Sequence, residues 1–168
     1  MLDESPHLLY TLQSFIGSLE LSDARVVWGE NRIQPQSVEL RLAGSRGIGQ
    51  ITMLFEAPVS EWHLGLVTEH SVIDLDLFRD IAIRVGNDGS HKAADIARTS
   101  LKAIGGHVAG FAAAGTRYAT KRQAWGHDVI IGLFIEAIQG RGPTPVPLDE
   151  SLNVVRVTDA ILAELLAP

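Results

Sequence analysis

The segment Ser37-Val-Glu-Leu-Arg-Leu-Ala43 alternates strictly, with Val38, Leu40 and Leu42 on one face and Glu39 and Arg41 on the other. A period of two sorts side chains this way only in a strand with one face buried and one wet. Gly44-Ser-Arg-Gly47 supplies a turn, and Ile48 to Glu56 returns as the partner, so a β-hairpin anchors the fold. Strands are expected from about Leu21 onward: Arg25 to Trp28, Glu61 to Thr68, Ser71 to Asp76 and Asp80 to Val85, closed by the turn Gly86-Asn-Asp-Gly89. Short links between consecutive strands predict a largely antiparallel, open sheet.

Helical spacing brackets this region. Ser5-Pro6 reads as a cap followed by proline at the first helical position, with Leu8, Leu9, Leu12, Phe15 and Ile16 as the apolar stripe and Gly17 as the stop. An alternative start places the cap at Asp3. A second helix is expected from His91 to about Ala114, carrying Ala93, Ala94, Ile96, Ala97, Leu101 and Ile104, with Gly105-Gly106 as a weak point or break. A third should run from near Gln123 to Gln139, burying Val129, Ile130, Leu133, Phe134, Ala137 and Ile138. The connector Gly140 to Pro147 leads to a last helix, capped at Asp149 or Ser151 and running through Val154, Val157, Ile161 and Leu165. The order helix, sheet, helices predicts an α+β fold with helices on one sheet face, read as a single domain over 1–168.

Composition narrows the function classes. With 46% hydrophobic and 20% charged residues, the chain is globular rather than disordered. No apolar run approaches the length needed to span a bilayer, so a membrane partner is not expected. Asp3 and Glu4 stand where a signal peptide would carry basic residues. The absence of cysteine removes disulfides, thiolate metal sites and cysteine nucleophiles, and fits a cytoplasmic setting. A net charge of −6 without a basic block disfavours nucleic acid as the ligand.

Chemistry-bearing residues fall in a few places. Asp3 and His7 stand four apart, on nearly the same side of a first helical turn. A carboxylate that orients an imidazole moves protons at neutral pH, although a capping aspartate beside a first-turn histidine fits the same spacing. Trp62 and His63 sit where a strand could border a sugar-sized pocket, or could simply pack. Tyr118 and Lys121, in a cluster with Arg117, Arg122, Trp125 and His127, could donate to hydroxyls or a carboxylate, or could form a basic helix entry. His63, Glu69, His70, Asp74 and Asp76 are metal-ligand types, but they match no known ligand spacing, and no metal is expected.

The stretch Phe134-Ile-Glu-Ala-Ile-Gln-Gly-Arg-Gly-Pro-Thr-Pro-Val-Pro147 and the helix following it resemble the C-terminal segment of the Gfo/Idh/MocA oxidoreductases. Leu2-Asp-Glu-Ser-Pro-His7 resembles the D-x-x-x-H signature at the start of that family's second domain. The resemblance implies the substrate-binding and oligomerisation half of an NAD- or NADP-dependent enzyme acting on a sugar, polyol or related hydroxy compound. Its partner would be an N-terminal Rossmann domain, and its sheet would pair with a second copy. By carry-over, His7 exchanges a proton with the substrate hydroxyl, and Asp3 holds its tautomer. The chain has no G-x-G-x-x-G after a strand and no Glu-Lys-Pro. Cofactor binding is therefore not expected of it, and hydride transfer would need the missing domain. The expectation from a different class is a stand-alone module for binding or dimerisation.

Overall fold

The strands read from the alternation form, but they divide between two antiparallel sheets rather than one. A computed structural model describes residues 5–30, 35–123 and 126–166. In chain order the elements are α1 (Ser5–Ile16), β1 (Leu19–Trp28), β2 (Pro35–Gly44), β3 (Gly47–Leu54), β4 (His63–Val67), β5 (Ser71–Asp76), β6 (Ile81–Gly86), α2 (Ala93–Ala119), α3 (Gly126–Ile138) and α4 (Leu148–Leu165). The α+β class therefore holds. Two compact units form: Met1–Pro58 with Ile130–Pro168, and Val59–Val129. β3 ends at Leu54 and β4 begins at His63, and Pro58 lies in the link between the two sheets.

In the first unit the sheet order is β1-β2-β3. Leu40 stands between Ala24 and Ile51, and Glu39 between Arg25 and Thr52, so the faces are apolar and polar as the alternation requires. Val38, Leu40 and Leu42 are buried with Leu9 and Leu12 of α1 and Val154, Val157, Ile161 and Leu165 of α4. Burying each such side chain contributes about 1.5–3 kcal/mol. Gly17 stops α1 in the left-handed region at φ +86, and its N–H bonds Gln13 O at 2.8 Å. Asn153 of α4 serves the edge of β1, accepting from Leu19 N–H at 2.8 Å and donating to Leu19 O at 3.0 Å. Strand β1 starts earlier than expected because Leu19 has these bonds.

In the second unit the order is β4-β5-β6, and α2 packs on β6. One sheet face carries Ile81 and Ile83, both buried. A Cβ added at Gly110 would lie 2.7 Å from Ile81 Cγ2, and one at Gly106 3.3 Å from Ile83 Cγ2. The helix therefore approaches the sheet through its glycines. That contact offsets their poor helix propensity, and α2 runs unbroken through the Gly105-Gly106 pair where a weak point or break was expected.

The buried side expected of α3 does not form. No described residue of α2 or α3 is fully buried, and Leu101, Ile104, Ile130, Leu133, Phe134 and Ile138 are all exposed. The small-residue face of α2 is the one that meets its sheet, which leaves the larger side chains outside. Apolar spacing identifies which residues favour cover, not what covers them. No described helix is long and apolar enough to cross a membrane.

Candidate functional site

The densest polar constellation among the described residues stands at one end of the second unit's sheet. The register aligns His63 of β4 with Asp76 of β5 and Ile81 of β6, and Gly65 with Asp74 and Ile83. The period of two thus brings His63, Asp74 and Asp76 to one face. His63 Nε2 lies 3.2 Å from Glu61 Oε2, and its Nδ1 lies 3.8 Å from Asp74 Oδ1. Two carboxylates flank one imidazole, and the contact with Glu61 constrains the ring's orientation.

Asp76 is the buried member of this group. Arg79 donates its backbone N–H to Asp76 Oδ1 at 2.9 Å and its Nη1 to Asp76 Oδ2 at 2.6 Å. Arg79 Nη2 reaches Glu61 Oε1 at 3.1 Å, so one guanidinium ties the segment leading into β4 to the turn after β5. Burial pushes the Asp76 carboxyl upward, but the two hydrogen bonds from Arg79 and its charge outweigh burial and hold Asp76 below the usual carboxylate value. The Arg79 guanidinium is raised in turn, first by Asp76 and then by Glu61. Trp62 meets Phe78 edge to face, with ring centroids 6.4 Å apart, which braces the segments that carry Glu61, His63 and Arg79.

The far end of α2 joins the same end of this unit. Arg117 Nε donates to Asp80 Oδ2 at 2.8 Å, in the turn between β5 and β6. Tyr118 and Lys121 follow immediately. The Tyr118 side chain is exposed, and Lys121 adopts φ +53 with its N–H on Tyr118 O at 3.1 Å. Trp62, His63, Tyr118 and Lys121 therefore share one unit, and of these four His63 is the one whose side chain joins the polar network.

His7 lies on the other unit, in the first turn of α1, exposed, with its carbonyl accepting from Thr11 Oγ1 at 2.7 Å. Asp3 lies outside the described residues, as does Trp125. Glu61, Arg79 and Asp80 did not emerge from the sequence as site residues. The only local signal was the Asp76-x-x-Arg79 spacing across a turn. Among the described residues no three His, Asp or Glu side chains are placed to hold a metal ion, and Arg79 already engages Asp76.

The opposite end of the same sheet holds an open cavity of about 330 Å³ lined by Thr68, His70, Ser71, Asn87, Asp88 and Thr99. Its inner wall is ordered by Thr68 Oγ1, which accepts from Ser71 N–H at 3.1 Å.

No family model matches this sequence. No curated protein sequence matches it either. Among solved structures, the fold is similar to the WlbA dehydrogenase from Bordetella pertussis, solved in complex with NADH and UDP-GlcNAcA, with a TM-score of 0.63. The similarity covers 96% of this chain and 44% of that one, at 14% sequence identity. The likeness is one of fold, and the chain spans less than half the length of that structure.

Proposed function

We propose that this chain is the substrate-binding and oligomerisation part of an NAD- or NADP-dependent oxidoreductase of the Gfo/Idh/MocA type, acting on a sugar, polyol or related hydroxy compound. The carrying observation is the fold likeness over 96% of the chain to a dehydrogenase solved with a nicotinamide cofactor and a nucleotide sugar. The Asp3-x-x-x-His7 spacing and the Phe134 to Ile161 segment add to it. The 44% coverage of that larger chain leaves room for a dinucleotide-binding partner domain, which this reading assigns to a Rossmann domain.

On this reading hydride passes from the substrate carbon to nicotinamide C4, and the hydroxyl proton passes to His7. A ketone or aldehyde and reduced cofactor result. Exposure of His7 lets that proton exchange with water, and Asp3 would hold the ring tautomer. Trp62 offers an apolar wall for a sugar ring, while His63, Tyr118 and Lys121 supply polar contacts. Self-association through the sheet is supported in the second unit, where Leu64 pairs with Leu75 and Leu66 with Ile73 on the face away from Ile81 and Ile83.

Saturation-transfer NMR of the chain against UDP-linked sugar acids, free sugars, polyols and NADH tests this division of labour. Binding of a hydroxy compound without binding of NADH is expected. NADH binding by the chain alone, or no hydroxy ligand across the panel, would sink the reading. The second outcome would favour a stand-alone interaction module, to which the exposed apolar side chains of α2 and α3 also point.

A further inference from the structure

The outward face of α2 carries Ala97, Leu101, Ile104, Val108, Phe111, Gly115 and Tyr118, at alternating spacings of four and three. That is a strict 3.5-residue seam sustained over three heptads, the pattern by which one helix packs knobs into another. A helix that only covers its own sheet needs no such seam on its far side. The inward face is a different set of residues, seated by Gly106 on Ile83 and by Gly110 on Ile81. Leu101, Ile104, Val108, Phe111 and Tyr118 are 61–72% exposed. The geometry points to α2 as a helix-pairing surface whose occupant is α2 of a second copy of this chain, running antiparallel.

Self-pairing follows from how the layers fill. In the antiparallel register Val108 faces Phe111 of the other copy, Ile104 faces Gly115, and Leu101 faces Tyr118. Each aromatic meets an aliphatic side chain, and the glycine receives the isoleucine. A parallel pair would instead stack Gly115 on Gly115 between two layers of aromatics, leaving a void beside crowding. The antiparallel arrangement also opposes the two helix dipoles favourably.

The flanks permit close approach. Gly105 and Ala112 line one side of the seam, and Ser100, His107 and Ala114 the other, so axes can come within about 8–10 Å. Arg98 would stand beside Ala119 of the other copy and His107 beside Ala114, so no like charges meet across the seam. The five large side chains alone would bury roughly 600 Å² per copy, at about 100–150 Å² each. With the flanks this reaches the scale of a standard interface, about 800 Å² per partner. The inference does not rest on the dehydrogenase reading.

Sedimentation equilibrium on the intact chain and on two variants, Val108→Glu and Phe111→Lys, tests it. The wild type is expected to dimerise below 100 μM (about the concentration at which weak specific pairs are measured). Each variant should pair at least about thirty-fold more weakly, as expected for loss of an apolar anchor. Both sites are exposed, so helical circular dichroism should be unchanged. An equimolar mixture of the variants should recover a heterodimer, because only the antiparallel register sets position 108 against position 111. A wild type that does not self-associate, variants that associate as tightly and to the same size as wild type, or a mixture that associates no further than the variants alone would each overturn the proposal.

Discussion

Replacing Gly110 by alanine tests how α2 is seated, on which the outward orientation of its apolar seam depends. Glycine to alanine inside a helix is favourable by about 0.8–1.0 kcal/mol from propensity alone. At Gly110 the new Cβ would stand 2.7 Å from Ile81 Cγ2 and 3.3 Å from Ile81 Cβ and Cγ1. Carbon atoms prefer about 3.5–4.0 Å, so the overlap approaches 1 Å against a buried side chain. Overpacking of this kind costs about 1–3 kcal/mol. The net expectation for Gly110→Ala is a loss of about 1 kcal/mol. Gly105, one and a half turns earlier, has nothing within 4 Å of its would-be Cβ, so Gly105→Ala should gain the full propensity term. The two variants should differ by about 2 kcal/mol, with Gly106→Ala between them because its nearest neighbour is 3.3 Å away. Urea unfolding, followed by Trp62 fluorescence in a Trp28→Phe, Trp125→Phe background, reads the unit that contains α2. Adding Ile81→Ala should relieve the clash, giving a coupling of about 1–2 kcal/mol in the double-mutant cycle. Equal stabilisation by Gly110→Ala and Gly105→Ala would refute the seating, and with it the orientation of the seam.

Asp76→Asn should lower the unfolding free energy read from urea titration at pH 7 by about 1 kcal/mol once the partial exposure of Arg79 is allowed for. The folded-state pKa of Asp76 lies below its unfolded value, so the stabilisation is complete above about pH 4 and fades as pH falls through the folded value. Wild type and variant should therefore converge on acidification, and a gap unchanged between pH 7 and pH 3 would deny the carboxylate its role. Asn153→Ala removes both bonds to the edge residue Leu19, and calorimetry should show a loss of about 2 kcal/mol in the first unit. His7→Ala should change stability by less than about 0.5 kcal/mol, since the side chain is exposed. In an assembly with the dinucleotide-binding partner the same change should lower turnover at least about a hundred-fold. A stability loss without a turnover loss would restore the capping interpretation of Asp3 and His7.

The sequence determined the local geometry. Alternation at Val38, Leu40 and Leu42 specified both the strand and its buried face, because a period of two admits no other sorting. Gly17 and the turn Gly44 to Gly47 announced their own positions through backbone constraints that act within a few residues. The two chain ends also resemble an oxidoreductase family, whereas the similarity to a solved dehydrogenase is one of fold alone. Pairing between distant residues was decided only in three dimensions. Nothing along the chain said that the sheet would divide near Pro58, or that Arg79 would tie Asp76 to Glu61. The same holds for α2, whose glycines rather than its large apolar residues face the sheet. Hydrophobic spacing states how much surface favours burial, whereas which surface meets which depends on close approach and shape. Those are properties of two segments together, and neither segment carries them alone.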